Sequence, residues 1–337
     1  MRIAAYDIGG ANTKKLLLDT KTGKIKSQIL YFPMWKKKTE LKSFLQSIKE
    51  KADCTAIAMT AELCDCFSSK AGGVKYIASA CEEVFENPYY LSVDRKLLRF
   101  KEIGNFLKIA AANFAASIYF LEKKFGEGIL ADVGSTTADV IPFKKGETLY
   151  GRTDLERLRK NQLVYTGMLR TPVSAIVSRV PFRDQPVRIS SEYFAITADV
   201  YSILGMLKNY SCDTPDNKGK GIKDSMRRVA RLLCADLDEV EEKEVTEICE
   251  YVHKKQVEQI AEALREAAED SEIKRAYVCG IGKELAKEAC KLAGINATDL
   301  SRITKAYDNL PCLGLAEMAK SEIFALGKDF CVEVWKG

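Results

Sequence analysis

The chain has 337 residues, of which 47% are hydrophobic and 29% are charged, a composition that can bury the cores of two globular domains. The formal net charge of +5 is too small to predict a nucleic-acid-binding surface, so no nucleic-acid partner is expected. No apolar stretch approaches the roughly 18 residues of a membrane span, and the N-terminus does not resemble a signal peptide, which together predict a cytoplasmic protein without a membrane partner.

The first part of the chain alternates short apolar runs with glycine or polar turns, a pattern typical of a strand meander. Apolar residues at helical spacing follow, and then another apolar run. Strands are predicted over residues 2–8, 14–19, 25–32 and 54–59, and a helix over residues 39–50. The expected order of elements is therefore strand, strand, strand, helix, strand.

A second meander follows about 125 residues after the first. Its strands are predicted over residues 129–133, 138–143 and 148–151, after a buried helix over residues 105–124. This recurrence predicts two α/β lobes of related topology with a ligand cleft between them. The predicted first lobe comprises residues 1–128 plus 306–337, and the second comprises residues 129–305.

The rest of the second lobe has a mixed pattern, first irregular and then strongly helical. Proline-containing residues 151–195 are expected to form an irregular insertion. Apolar spacing then predicts, in order, a helical region over 224–270, a strand over 275–279, a helix over 283–293 and a tail helix over 312–326. These elements keep the expected fold within the α/β class.

Two glycine turns share one pattern, in which an aspartate ends a buried strand and small polar residues follow it. The first turn runs from Asp7 to Lys14 (DIGGANTK) and the second from Asp132 to Asp139 (DVGSTTAD). Glycine lets the backbone approach a ligand closely, the following N–H and hydroxyl groups suit phosphate oxygens, and aspartates suit Mg²⁺. The predicted phosphate ligands are Gly9, Gly10, Asn12, Lys14, Gly134, Ser135, Thr136 and Thr137, and the predicted metal ligands are Asp7 and Asp132.

Either turn alone is typical of an ordinary β-hairpin, and their repetition is what favours a functional site.

The 11 cysteines lack paired CxxC spacing, which indicates reduced thiols rather than a zinc or iron–sulfur centre. The single histidine, His253, lies in a charged helical stretch and is expected at the surface. Acid–base chemistry is therefore expected from carboxylates, lysine, tyrosine or cysteine. Glu62 and Asp65 follow a strand end, where α/β sheets bind ligands, and a structural role for them stays open.

The glycine turns resemble the phosphate loops of the sugar kinase, Hsp70 and actin superfamily, whose two lobes have an actin-like ATPase (ribonuclease H-like) topology. Asp7 to Lys14 is similar to its first loop, D-x-G-G-x-N-x-[KR], and Asp132 to Asp139 is similar to its second, D-x-G-x-x-x-x-D. Residues 276–282 (AYVCGIG) resemble its adenosine motif in a thinner form. The resemblance therefore implies Mg²⁺ as cofactor and leaves ATP binding open.

Further stretches resemble hydantoinase/oxoprolinase-like proteins within that superfamily, namely residues 60–65 (TAELCD) and 197–201 (TADVY). An archaeal branch linked to methanogenesis and methanofuran biosynthesis is similar at AAANFAAS (110–117), ADVGSTTADVIPF (131–143), YTGMLRTPV (165–173) and DSMRRVARLLCAD (224–236). The resemblance covers about residues 1–320. The phosphate loops are specific for the fold, whereas the other stretches indicate the branch.

This resemblance implies a transferase with two small-molecule substrates, an aminomethylfuran-methyl diphosphate and γ-glutamyltyramine. The phenol oxygen of the second would displace diphosphate from the first and form an ether. Catalytic roles are implied for Asp7, Asp132, Asp139 and Asp199, and substrate contacts for Glu62 and Arg170. Within this set, Asp139 or Asp199 is the expected base for the phenol, and Arg170 is also typical of a structural loop arginine.

Other residues are interpreted as structural, with Arg228 and Arg231 as surface ion-pair partners and Asn113 as a polar contact inside a helix. Two competing functions stay open. One is an ATP-dependent small-molecule kinase or oxoprolinase-like ATPase of the same fold, and the other is a non-catalytic assembly or sensor protein. Whether the protein is a homo-oligomer is also left open.

Overall fold

The computed structural model describes residues 1–323, which form two compact units. Among the described residues, the first unit comprises 1–128, 143–157 and 300–323, and the second comprises 129–142 and 158–299. No helix within residues 1–323 combines the length and the apolar character that crossing a membrane requires.

The secondary structure of these residues is mixed. The strands are β1 (Arg2–Gly9), β2 (Asn12–Asp19), β3 (Ile25–Tyr31), β4 (Cys54–Thr60), β5 (Tyr89–Leu91), β6 (Leu97–Arg99), β7 (Glu127–Val133), β8 (Ala138–Lys144), β9 (Leu163–Val164), β10 (Arg179–Phe182), β11 (Gln185–Arg188), β12 (Arg275–Cys279) and β13 (Asn296–Asp299). The α-helices are α1 (Met34–Lys37), α2 (Leu41–Ile48), α3 (Lys70–Val84), α4 (Asn113–Phe125), α5 (Asp154–Arg159), α6 (Thr197–Ile203), α7 (Ile222–Ala230), α8 (Glu242–Ser271), α9 (Lys283–Ala293) and α10 (Leu310–Ile323). Short 3-10 helices lie at Lys38–Glu40, Phe100–Glu102, Phe106–Ile109, Val173–Ala175, Arg231–Leu233, Leu300–Arg302 and Tyr307–Asn309.

The first unit contains a six-stranded sheet with the order β3-β2-β1-β4-β5-β6. β1 pairs antiparallel with β2, and β2 pairs antiparallel with β3, which is the predicted meander. β4 lies parallel to β1 on its other side, with Thr60 beside Gly9, and β5 lies parallel to β4. The predicted order of strand, strand, strand, helix, strand is confirmed.

The second unit contains a five-stranded sheet with the order β13-β12-β7-β8-β9. β8 pairs antiparallel with β9, whereas β12 lies parallel to β7 and β13 lies parallel to β12. Taken from β9, this order repeats the order β3-β2-β1-β4-β5 of the first sheet. The predicted recurrence of one α/β topology is therefore confirmed.

The third strand of the second meander is predicted at residues 148–151, and this prediction is wrong. A bridge between Lys144 and Glu147 forms just before that stretch, and the third strand is the later β9. The reason lies at Tyr150, which is 5% exposed and packs its ring edge-on against Phe114 at 5.6 Å. Because this aromatic contact buries Tyr150 in the first unit, it outweighs the strand propensity of its neighbours.

The predicted buried helix over residues 105–124 is also wrong at its start. A 3-10 helix covers Phe106–Ile109, Ala111 has a φ of 48°, and α4 begins only at Asn113. Ala110 instead extends the edge of the sheet through a bridge to Met59. A tertiary contact thus overrides the helix propensity of the alanines, and it places Asn113 at a helix start.

Other predicted segments are confirmed with changed limits. The helical region over 224–270 is interrupted between α7 and α8, where Cys234 has a φ of 56°. The irregular region over 151–195 contains α5, β9 and the β10–β11 hairpin. The tail helix is described from Leu310 to Ile323, and residues 324–326 lie outside the described part of the chain.

Packing in the first unit holds the end of β1 firmly. Tyr6 and Ile57 belong to one buried cluster with Leu45 of α2 and Ile77 of α3. α4 and α10 approach each other so closely at Gly314 that an added Cβ would overlap the carbonyl oxygen of Ala116. The strand end that carries Asp7 is therefore built on a closely packed core.

Candidate functional site

The first glycine turn connects β1 to β2 and is partly exposed. Its carbonyl groups are occupied, because Met34 N–H donates to the Gly10 oxygen at 2.8 Å and Phe32 N–H donates to the Ala11 oxygen at 2.9 Å. Within residues 1–323, the N–H groups of Gly10 and Ala11 donate no hydrogen bond. The carbonyl oxygens of the turn are thus already hydrogen-bonded, whereas two of its N–H groups are available as donors. An anion binds to such an arrangement of N–H groups.

Asp7 lies at the end of β1 and is 4% exposed. Its Oδ2 accepts a hydrogen bond of 3.2 Å from Asn113 Nδ2 at the first turn of α4. In the antiparallel register, Asp7 lies opposite Lys14 of β2. Asn113 was predicted to make a polar contact inside a helix, and nothing in the stretch AAANFAAS marks Asp7 as its partner.

Glu62 follows β4 and is 1% exposed. Its neighbours in sequence lie against the first turn, since a Cβ added to Gly9 would lie 3.4 Å from Thr60 Oγ1 and one added to Gly10 would lie 2.9 Å from Cys64 Sγ. Burial raises the pKa of the Glu62 carboxyl to about 7, and Lys70 opposes that rise. The first unit thus brings Glu62 to the same turn as Asp7, whereas Asp65 is exposed.

The second glycine turn, between β7 and β8, has the same construction. Met168 N–H donates to the Gly134 oxygen at 2.9 Å, and the Leu169 and Arg170 N–H groups donate to the Ser135 oxygen at 3.0 and 2.9 Å. In the part of the chain that the structure describes, the N–H groups of Ser135 and Thr136 donate no hydrogen bond. The Gly134 and Ser135 oxygens are therefore hydrogen-bonded, and the N–H groups of the partly exposed Ser135 and Thr136 are available to a ligand.

A segment of the second unit, residues 167–170, supports this turn. A Cβ added to Gly167 would lie 2.5 Å from Thr136 N, so only glycine allows this approach. Arg170 Nη1 donates to Thr136 Oγ1 at 3.3 Å, which places the predicted substrate arginine at the turn. The buried Gln256 of α8 donates to the Gly167 oxygen at 2.9 Å and accepts from Tyr201 at 2.7 Å, and it thereby fixes the segment.

Asp132 and Asp139 flank the second turn and are half-buried. Gly280 has a φ of 81°, and a Cβ there would overlap Asp132 Oδ1. The Gly282 N–H donates to the Val133 oxygen at 2.9 Å. Close packing against the end of β7 thus accounts for both glycines of the adenosine-like stretch.

Asp199 does not have the surroundings of a base. It is fully buried, its Oδ1 accepts from Arg228 Nη2 at 2.6 Å and from Ser225 Oγ at 2.9 Å, and its Oδ2 accepts from Ile196 N–H at 3.1 Å. Arg228 is also fully buried, so its interpretation as a surface ion-pair residue is wrong. Because both carboxylate oxygens are occupied within the core, we assign Asp199 a structural role and withdraw it as a candidate base.

Among residues 1–323, no group of three or more histidine, cysteine, aspartate or glutamate side chains is arranged to hold a metal ion. The donor chemistry nevertheless fits Mg²⁺, which is commonly held by one or two carboxylates together with substrate phosphates and water. Asp7 and Asp132 each supply one carboxylate beside a turn rich in N–H donors. They remain the predicted ligands.

A family model described as hydantoinase/oxoprolinase matches residues 53–322. A protein of Methanocaldococcus jannaschii is 40% identical over 292 residues, which cover 85% of this chain and 88% of that protein. A protein of Methanococcus vannielii is 35% identical over 205 residues, which cover 58% of this chain and 92% of that protein. Both are named (4-{4-[2-(γ-L-glutamylamino)ethyl]phenoxymethyl}furan-2-yl)methanamine synthase.

Two solved structures share the fold at 10% identity each. A nucleotide-free acetone carboxylase superposes with a TM-score of 0.56 over 94% of this chain and 70% of its own. A ROK family glucokinase of Streptomyces griseus, solved with glucose and AMPPNP, superposes with a TM-score of 0.51 over 95% of this chain and 100% of its own. The fold is the one shared by sugar kinases and actin-like ATPases, and the chain belongs to the hydantoinase/oxoprolinase family.

Proposed function

We propose that this protein is an ether-forming transferase of methanofuran biosynthesis. The observation that carries the proposal is the 40% identity, over 85% of the chain, to a synthase whose name specifies the product. In that product a phenol oxygen is joined to a methylene group on a furan ring. The substrates would be an aminomethylfuran-methyl diphosphate and γ-glutamyltyramine, and diphosphate would be released.

The glycine turns supply what a diphosphate leaving group needs. Negative charge develops on the diphosphate oxygens as the carbon–oxygen bond breaks, and preorganised donors stabilise that charge best where they are directed before the reaction begins. Both turns have carbonyl oxygens occupied by neighbouring N–H groups, so those oxygens would not compete with a phosphate for the donors of the turns. Lys14 and Arg170 add positive charge beside the first and the second turn, respectively.

Mg²⁺, if bound at Asp7 of the first unit or at Asp132 of the second, would neutralise charge on the leaving diphosphate. The hydrogen bond from Asn113 orients the Asp7 carboxylate, and burial lowers the dielectric constant around it. The furan ring can stabilise positive charge on its exocyclic carbon, so bond breaking can run ahead of attack. The phenol has a reference pKa of about 10, so either a base or the ether-forming step itself must remove its proton.

An ATP-dependent kinase or ATPase of the same fold is the alternative function. The observation that favours it is the adenosine-like stretch that ends at Gly280 and Gly282. Since packing against Asp132 and Val133 already accounts for both glycines, that stretch gives no independent support for a nucleotide. We therefore prefer the transferase.

Ligand-dependent thermal unfolding tests the diphosphate-binding turns. Diphosphate with Mg²⁺ is expected to raise the unfolding temperature by several degrees, since a ligand at 100 times its Kd contributes about 2.7 kcal/mol. ATP with Mg²⁺ is expected to produce a smaller rise. Gly167→Ala should lose most of the diphosphate effect, because its Cβ would displace Thr136 and with it the second turn.

Gly104→Ala is the matched control, because a Cβ at Gly104 would meet no atom within 4 Å. This variant should keep the full diphosphate effect. A larger rise with ATP than with diphosphate would favour the ATP-dependent alternative. If diphosphate raises the unfolding temperature of both glycine variants equally, the second turn does not bind diphosphate.

A further inference from the structure

The carboxyl group of Glu62 is buried in the first unit with one of its two oxygen atoms unsatisfied. Its exposed fraction is 1%, and within residues 1–323 its Oε2 atom has no hydrogen-bond partner. The Oε1 atom lies 4.0 Å from Lys70 Nζ, which is too far for a hydrogen bond. An unsatisfied buried carboxyl destabilises a fold, so the retention of one indicates a function.

Glu62 is held at the first glycine turn by its backbone. Thr60 lies beside Gly9 in the parallel register of β1 and β4, and Cys64 Sγ lies close to Gly10. On its other side, α3 packs so closely that a Cβ at Gly73 would overlap the Glu62 carbonyl oxygen. The loop that carries Glu62 is thus fixed between α3 and the turn, so the position of the carboxyl is set before substrate arrives.

The charges around Glu62 are mixed. Lys70 favours the carboxylate, whereas Asp7 and Asp154 oppose it. Lys70 also lies 3.6 Å from Asp154, whose Oδ1 is paired with Arg157 at 2.6 Å. Lys70 is therefore shared between two carboxyls and does not neutralise Glu62 completely. A carboxylate in these surroundings repels diphosphate, so its partner must be positively charged or must donate a proton.

We propose that Glu62 accepts the phenol proton during ether formation, an assignment that rests on the proposed function. The phenol O–H proton moves to Glu62 Oε2 as the phenol oxygen forms a bond to the furan methylene carbon. The bond between that carbon and the diphosphate oxygen breaks, and the electron pair leaves with diphosphate. Glu62 then returns the proton to water, so atoms and charges balance over one turnover.

Burial raises the pKa of Glu62 to about 7, which suits a group that must both accept and release a proton near neutral pH. The carboxylate is the accepting form. The value of kcat/KM should therefore rise as the pH increases through about 7 and then level off. The pH profile of the wild-type protein provides the reference for the variants.

Glu62→Gln tests the assignment, because glutamine keeps the size of the side chain and cannot accept the proton. We expect kcat to fall by roughly 10²- to 10⁴-fold with little change in the KM of either substrate, and the pH-dependent rise to disappear. A ring-fluorinated γ-glutamyltyramine, whose phenol is more acidic, should recover part of the lost rate. The fluorinated substrate should increase the rate of the wild-type protein much less.

Glu83→Gln is the matched control, since it makes the same substitution at an exposed glutamate of α3 and should retain wild-type kcat and pH profile. Glu62→Asp keeps a carboxylate at a shorter reach, so it should retain the pH-dependent rise with a lower kcat. This variant keeps the test valid if Glu62→Gln unfolds.

Three outcomes would overturn the assignment. An equal loss with the ordinary and the fluorinated phenol would indicate a positional role. A raised KM for the furan substrate with unchanged kcat would indicate that Glu62 binds the aminomethyl cation. Recovery at high Mg²⁺ concentration would indicate a metal ligand. Failure of the wild-type protein itself to form ether would instead overturn the proposed function, so the two failures are distinguishable.

Discussion

Asp7→Asn is expected to lower the rate of ether formation by roughly 10²- to 10³-fold while the protein remains folded. Asparagine has the size of aspartate, so the core around β1 should be undisturbed. It lacks the negative charge that would hold Mg²⁺ against the leaving diphosphate. Asp7 is 4% exposed and is oriented by Asn113, so solvent cannot compensate easily for the loss of its negative charge. Steady-state rates at saturating substrates, with circular dichroism to verify folding, give the measurement.

The control for Asp7 lies at the far end of the same hairpin. Asp19 is partly exposed and accepts hydrogen bonds from Lys21 N–H at 2.9 Å and Thr22 N–H at 3.2 Å. An asparagine oxygen can accept both, so Asp19→Asn should leave the rate unchanged. Retention of more than about a tenth of the wild-type rate by Asp7→Asn would contradict a role for Asp7 in charge stabilisation.

Asp199→Asn is expected to lower the free energy of unfolding by about 3–5 kcal/mol, because it leaves the buried guanidinium of Arg228 without its closest charge partner. Arg228 would keep its hydrogen bonds of 3.0 Å to Asp216 and to the Gly219 oxygen and could bond the asparagine oxygen, but it would lose the fully buried negative charge beside it. α6 would also lose the carboxylate that accepts from Ile196 N–H at 3.1 Å. Urea denaturation followed by circular dichroism measures the change through the midpoint and slope.

Asp224→Asn breaks a surface ion pair on α7, the helix that carries Arg228, and serves as the comparison. Asp224 and Arg227 are joined at 2.9 Å, and their side chains are 33% and 48% exposed. Solvent screens such a pair, so the expected loss is at most about 1 kcal/mol. Equal losses in the two variants would contradict the structural role of Asp199. If Asp199→Asn has normal stability but no turnover, Asp199 is again a candidate base for the phenol.

The glycine turns were predictable from sequence because their signal is local. Asp7 and Gly9 are separated by one residue, as are Asp132 and Gly134, and each pair ends an apolar strand. Gly9 is required there because an added Cβ would lie 2.6 Å from the Asn12 carbonyl oxygen. The repetition of that pattern also predicted the repeated topology of the two sheets.

The supports of the turns were not predictable because they depend on contacts between distant residues. Asn113 and Asp7 are separated by 106 positions, and Gln256 and Gly167 by 89. No local pattern marks either pair. The start of α4 was missed for a related reason, since alanine favours a helix and only the bridge from Ala110 to Met59 prevents one at that point.

The roles of the carboxylates depended on burial and partners, which sequence motifs do not report. Asp199 lies in a motif similar to that of Glu62, yet it pairs with Arg228 in the core. Glu62 has one oxygen for which the described residues supply no hydrogen-bond partner. Burial and hydrogen-bond partners therefore favour Glu62 over Asp199 as the proton acceptor.

The most direct test of the transferase assignment is a product assay without nucleotide. Purified protein would be incubated with Mg²⁺, the aminomethylfuran-methyl diphosphate and γ-glutamyltyramine, and the products would be analysed by mass spectrometry. We predict the ether-linked product together with one diphosphate for each ether formed. Absence of the ether, accompanied by ATP hydrolysis under matched conditions, would contradict the assignment and identify an ATP-dependent enzyme instead.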